Sequence, residues 1–160
     1  MVKKAEHTNF ISLFEENLFI PHLKAKTKEH VLAEMADVLL AQGKVKDKDI
    51  LLEMLHQRES LGSTGIGKGI AIPHGRSLAT VRLIVVFGKS DEGIPFEAMD
   101  GKPVHLVFMI IAPYQDRLNL YLVALGKLVE LLKKKKIRDD LFQTETFQEF
   151  RAVIEGGLKE

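Results

Sequence analysis

One His of the six stands where its surroundings give it work. His74 follows Pro73 at the end of a short apolar stretch, Ile70-Ala71-Ile72, a position rigid enough to aim a side chain. An unperturbed imidazole titrates at about 6.5, so much of it is neutral and nucleophilic near pH 7. Upstream, Gly62, Gly65, Gly67 and Gly69 free the backbone to turn N–H groups toward an anion. Ser63, Thr64 and Ser77 add hydroxyl donors, and Arg58, Lys68 and Arg76 add positive charge on both flanks. A nucleophilic imidazole ringed by such donors suits phosphoryl transfer, which depends on in-line positioning and charge neutralisation. The chain has no Cys, so thiolate nucleophiles, disulfides, Cys-based zinc sites and iron–sulfur clusters are excluded. A side-chain nucleophile must then be His, Ser, Thr, Lys, Tyr or a carboxylate.

The same glycines imitate a different phosphate site. Gly62 to Lys68 fills the first seven positions of a P-loop, but Gly69 stands where the Mg²⁺-binding Ser or Thr belongs. A P-loop also joins a strand to a helix, whereas this segment joins a helix to a strand. Nucleotide hydrolysis is set aside on both grounds. For Arg58 the alternative to an active-site role is a cation at a helix C-terminus. His7, His22, His30 and His56 show no metal-ligand spacing and read as surface residues, so no metal and no cofactor are expected.

These residues need elements to hold them. Thr27 is a candidate N-cap for a helix with Val31, Met35, Val38 and Leu39 on its apolar face and Gly43 as its C′ residue. A second helix is expected from about Asp47 to Arg58, with Ile50, Leu51, Met54 and Leu55 inward. Leu61 to Gly69 reads as a loop, Ile70-Ala71-Ile72 as a short strand, and Val81–Gly88 and Val104–Ala112 as buried strands. Between the last two, Asp91-Glu92-Gly93-Ile94-Pro95 has turn chemistry. The longest helix is expected over Asp116–Lys133, with Leu118, Tyr121, Leu122, Leu125, Leu128, Val129 and Leu132 facing a core. Lys133 to Lys136 would end it and complement its dipole. A last short helix or two from about Thr144 to Ile154 would close the chain before Gly156-Gly157. The pattern implies a layered α/β domain with one central sheet, and the reading adopted is a single domain whose central mixed sheet is flanked by helices.

Composition narrows the function classes. The 160 residues suit one domain, and 46% hydrophobic with 28% charged reads as soluble and globular. A net charge of +1 argues against a nucleic-acid binder. The longest apolar run, Leu106–Ala112, falls far short of the roughly 20 residues a spanning helix needs. The basic start Met1-Val2-Lys3-Lys4 leads into no signal-peptide core. No membrane insertion and a cytoplasmic location are expected.

The segment around His74 also resembles the active-site signature of the fructose/mannitol-type EIIA domains of the phosphoenolpyruvate-dependent phosphotransferase system. That signature is met by Glu59, then six free positions, Ile66, Gly67, two free positions and Ile70-Ala71-Ile72-Pro73-His74-Gly75. Phe96-Glu97-Ala98-Met99-Asp100-Gly101-Lys102-Pro103 before an apolar strand resembles the same domains, and the similarity runs from about Phe10 to Gly156. It implies an EIIA domain over 10–156, with 1–9 a flexible N-terminus and 157–160 a tail. It further implies a phosphotransferase in which His74 accepts a phosphoryl group from the phosphohistidine of HPr or an HPr-like carrier. Arg58 would neutralise phosphoryl oxygens, with Ser63, Thr64, Gly65 and Gly67 in supporting binding roles. The recipient would be an EIIB domain or a regulatory target protein. No EIIB or EIIC segment is attached and the loop wording suits the nitrogen-type branch, so regulation is favoured slightly over sugar transport.

The resemblance departs at one position. The family's second His, opening a His-Leu-x-x-Leu-x-x-Leu helix, is replaced by Tyr121 in Tyr121-Leu122-Val123-Ala124-Leu125. Tyr121 can donate a hydrogen bond but carries no positive charge near neutral pH. This raises the alternative of a non-catalytic interaction module. His105, at the start of the apolar strand, is not an obvious substitute.

Overall fold

Two long apolar runs lay down the centre of the computed structural model, which describes residues 9–116 and 118–159. Strands β5 (Ile84–Ile94) and β6 (Val104–Ala112) pair antiparallel, from Ile84 opposite Ile111 to Ile94 opposite Val104. Their stretches Ile84–Phe87 and Leu106–Ala112 are apolar at every position and so need cover on both faces. Alternation supplies two cores. Val107, Met109 and Ile111 face helices α1 (Lys28–Ala41) and α2 (Lys48–Ser60). Leu106, Phe108 and Ile110 face α3 (Leu120–Leu132), α4 (Lys135–Phe142) and α5 (Phe147–Lys159).

Short strands complete the sheet. β1 (Phe19–Ile20) runs parallel to β5, β2 (Gly65–Gly67) pairs antiparallel with β3 (Ile70–Ala71), and β3 lies parallel to β6. The order is β1-β5-β6-β3-β2, with β4 (His74–Arg76) also parallel to β6, farther along the same edge. This is the expected α/β architecture with a mixed sheet between helical layers. Thr27 caps α1 through its hydroxyl, which accepts the His30 N–H, and Gly43 follows the helix at φ +69°.

Several boundaries differ from expectation. β5 starts at Ile84, leaving Val81 exposed, and runs through Asp91-Glu92-Gly93. The turn chemistry there is absorbed by a register shift between Lys89 and Ile94, where the Ser90 hydroxyl accepts the Gly93 N–H. The Leu61–Gly69 loop contains β2, and the Ile70–Ile72 strand ends at Ala71. Ile50 is 43% exposed and lies off the packed face of α2.

Helix α3 begins at Leu120, not Asp116. Asn119 sits in the left-handed region at φ +51°, and the Asp116 carboxylate accepts the Leu120 and Tyr121 N–H groups. Leu118 and Leu122 are exposed, so the inward stripe is Tyr121, Ala124, Leu128, Leu131 and Leu132, with Leu125 and Val129 half-buried against the same core as expected. The lysine run does not end one helix but spans a break: Lys133 closes α3 and Lys135 opens α4. The final helix passes Ile154 and both glycines to reach Lys159. A Cβ on Gly157 would stand 2.4 Å from Leu131 and 2.9 Å from Ile137, so glycine there lets α5 close on α3 and α4. Of the N-terminus expected to be flexible, residues 1–8 lie outside the described ones, as does Arg117 within the predicted helix.

One polar network fastens the second layer to the sheet. The buried Lys89 ammonium donates to the Phe142 and Thr144 carbonyls and pairs with Glu145 at 3.2 Å. His22 bridges Asp91 at 2.7 Å and Glu145 at 2.6 Å. Hydrogen bonds donated by its ring to Asp91 and then Glu145 raise the His22 pKa above its usual value. Lys89 first, and more weakly His22, draw Glu145 below the carboxylate range. A raised His pKa gives stability that is complete below about pH 6.5 and is lost as pH rises through the folded value. The pairs are half exposed and screened by solvent, so the melting temperature is expected to fall by only about 1 °C from pH 6 to 8.5. A His22→Gln variant should flatten that slope in a thermal melt series.

Candidate active site

The ring of His74 is fixed by its own strand. Its Nδ1 lies 2.6 Å from the Ile72 carbonyl oxygen, which can only accept, so Nδ1 carries the proton. The lone pair is then on Nε2. Backbone pairing holds the position: Pro73 O accepts the Ile110 N–H, and His74 stands opposite Ile110. Gly75 points to the other face, where a Cβ would meet the Met54 sulfur of α2 at 2.2 Å.

Tyr121 and Arg76 gather with His74, and Arg58 acts electrostatically on Tyr121. The Tyr121 ring, from the first turn of α3, stands edge-on to the imidazole with centroids 6.1 Å apart. The Arg76 guanidinium lies over the Tyr121 ring, 5.2 Å from its centroid. Arg58, in the last turn of α2, donates from Nη1 to the Gly62 carbonyl at 2.8 Å. Burial pushes the Tyr121 phenol up, while Arg76 and then Arg58 pull it down. The phenol keeps its proton at neutral pH and can donate.

The Gly-rich run takes another course. Gly65–Gly67 and Ile70–Ala71 form a small hairpin, with Gly67 at φ +93° and Lys68 at φ +57°. The Lys68 N–H donates to Asp100 rather than to open space, and this bond heads those that hold the Asp100 carboxyl below its usual range. Ser63 donates to the Phe96 carbonyl and accepts the Gly65 N–H. Ser77 accepts the Ala79 N–H. Thr64 is buried, and its N–H and hydroxyl both donate to Glu59. These hydroxyls and glycines shape the loop beneath the site.

Lys68 does not join the charges around His74. The hairpin carries it to the other end of β6, beside His105, Arg138 and Phe142. His105 donates from Nδ1 to the Ser90 carbonyl and packs on Phe142. It sits five β6 positions from Ile110, about 16 Å at the usual strand rise, so it does not replace a second His. Among the described residues, Arg76 lies over the ring that packs against His74, and Arg58 acts electrostatically on the same Tyr121 phenol. In the sequence Arg76 is flanking charge, and its spacing from His74 carries the signal: residues two apart in a strand share a face.

Glu59 does structural work one residue from Arg58. It accepts both Thr64 donors and pairs at 3.0 Å with Lys28, whose ammonium lies over the Phe96 ring. Both partners are largely buried, and removing one strands the other's charge. A Glu59→Ala change is expected to cost about 3 kcal/mol in urea unfolding. Lys28→Met should cost a similar amount.

Among the described residues no cluster of His, Asp and Glu could hold a metal ion, and no helix is long and apolar enough to cross a membrane. Residues 12–157 match the family described as phosphoenolpyruvate-dependent sugar phosphotransferase system, EIIA 2. The chain is 42% identical over 125 residues to the fructose-specific EIIABC component of Bacillus subtilis, covering 78% of this chain but only 20% of that protein. It is 37% identical to the fructose-specific EIIA component of Haloferax volcanii, over 80% of this chain and 82% of that one. Identity to the nitrogen regulatory protein of Bradyrhizobium diazoefficiens is 35%, over 84% and 87%. The crystal structure of nitrogen regulatory protein IIA-Ntr from Neisseria meningitidis superposes with a TM-score of 0.83 at 29% identity, covering 91% of this chain and 99% of that one. With the family matched over nearly its whole length, the chain belongs to the EIIA type 2 family of the phosphoenolpyruvate-dependent sugar phosphotransferase system.

Proposed function

We propose that this chain is a cytoplasmic phosphocarrier that accepts a phosphoryl group on His74 from the phosphohistidine of HPr or an HPr-like protein. The observation that carries the reading is the 2.6 Å contact of Nδ1 with the Ile72 carbonyl, which favours the Nδ1–H tautomer and leaves Nε2 as the nucleophile. As the Nε2–P bond forms, the donor's N–P bond breaks. The donor ring, protonated on its other nitrogen, leaves as a neutral imidazole. His74 keeps its Nδ1 proton on Ile72 and becomes the phosphorylated imidazolium. Arg58 neutralises the moving phosphoryl oxygens, with Ser63, Thr64, Gly65 and Gly67 fixing the loop around it. The step needs neither metal nor cofactor.

The regulatory branch is favoured, with a target protein as the partner that reads the phosphorylation state. Support comes from the likeness to nitrogen regulatory proteins along most of both chains. Sugar transport with transfer to an EIIB domain is the second reading, and the 42% identity to a fructose EIIABC component favours it. Tyr121 motivates a third, an interaction module without efficient transfer. Incubation with labelled phosphoenolpyruvate, Enzyme I and either a nitrogen-type or a sugar-type HPr tests all three. Acid-labile, base-stable label is expected, arriving faster from the nitrogen-type donor. Faster arrival from the sugar-type donor would favour transport, and no label from either would leave the module.

A further inference from the structure

Two charges on a phosphoryl group call for more than one cation, and the structure places a candidate, Arg76, on the aromatic ring that packs against His74. Along β4 side chains alternate, so His74 and Arg76 share the face toward α3 while Gly75 meets α2. The Arg76 guanidinium stacks on Tyr121 and donates Nη1 to the Pro113 carbonyl at 3.3 Å. That uses one of its five N–H donors. Among the described residues no carboxylate pairs with it. Tyr121 stands edge-on to His74, so one aromatic ring touches both the imidazole and the guanidinium. Arg58 already spends a donor on Gly62.

We propose that Arg76, seated on the Tyr121 ring, is a second cation of the phosphoryl site and binds the oxygens of the group on His74 together with Arg58. The inference rests on the phosphocarrier reading above. Tyr121 then acts as a platform: its flat face fixes the guanidinium through a cation–π contact, and its uncharged phenol leaves the positive charge to Arg76. Arginine does not titrate in the working range, so the charge delivered this way is independent of pH.

The test compares phosphorylation rates of the full chain by phosphoenolpyruvate, Enzyme I and HPr. Arg76→Gln is expected to slow His74 labelling by about 10²-fold. Arg76→Lys should lose less, since it keeps charge but not the flat stacking group. An Arg76→Gln/Tyr121→His double variant separates charge from architecture. The groups facing position 121 are His74 and Arg76 from β4, Arg58 from α2 and Asp116 ahead of α3. The new imidazole should restore labelling at pH 6, where it is protonated, and not at pH 8. Arg76→Gln within twofold of wild type, or a double variant with no recovery at pH 6, would overturn the proposal while the carrier reading stands. If wild type takes no label, the carrier reading fails by itself. Titration with inorganic phosphate, followed by His74 ¹⁵N shifts, then decides Arg76: weaker binding in Arg76→Gln supports it and unchanged binding overturns it.

Discussion

A His74→Ala chain is expected to take up no phosphate from a phosphohistidine donor, a loss of at least about 10³-fold. Two of the other described imidazoles are committed elsewhere. His105 lies at the far end of β6 with its Nδ1 on Ser90, and His22 is engaged by Asp91 and Glu145. Stability should change little, because the half-buried ring gives up one hydrogen bond, worth about 1 kcal/mol. Labelling and a urea melt on the same preparation check both halves. Label retained by the variant would mean that the phosphoryl group goes elsewhere.

Gly65→Val is expected to act through packing instead. A Cβ there would stand 2.9 Å from both Cα and Cβ of Ala98, and Ala98 has no flexible end to move aside. The Gly65 carbonyl also accepts the Met99 N–H, so the clash falls where two segments are joined. Overpacking of this kind costs about 1–3 kcal/mol, and the upper end applies where backbone must move. The urea midpoint should drop, and labelling of His74 should slow as β2 shifts under Thr64. A variant with unchanged stability and selectively lost labelling would instead place the Gly65 backbone directly on the phosphoryl group.

The sequence displayed some of this directly and hid the rest for physical reasons. β6 was legible because Val104–Ala112 is apolar on both faces, which only a doubly covered strand sustains. The cap at Thr27 was legible because it is local, made by a hydroxyl and an amide three residues apart. β4 was not, since His-Gly-Arg carries no apolar signal and is a strand only through its bonds to β6. Lys68 is six positions from His74 in the chain, yet the hairpin sets it at the opposite end of the sheet. Ser63 and Thr64 are hydroxyl donors as read, but their direction depends on Phe96 and Glu59. The start of α3 was missed because Asp116, although a good capping residue, reaches over a left-handed Asn119 to the helix.

The most direct measurement is the site of attachment on the ring. Wild-type protein labelled with ¹⁵N histidine and phosphorylated through HPr should show ¹⁵N–³¹P coupling at Nε2 of His74, with Nδ1 still protonated against Ile72. Coupling at Nδ1, or at any other histidine, would contradict the account.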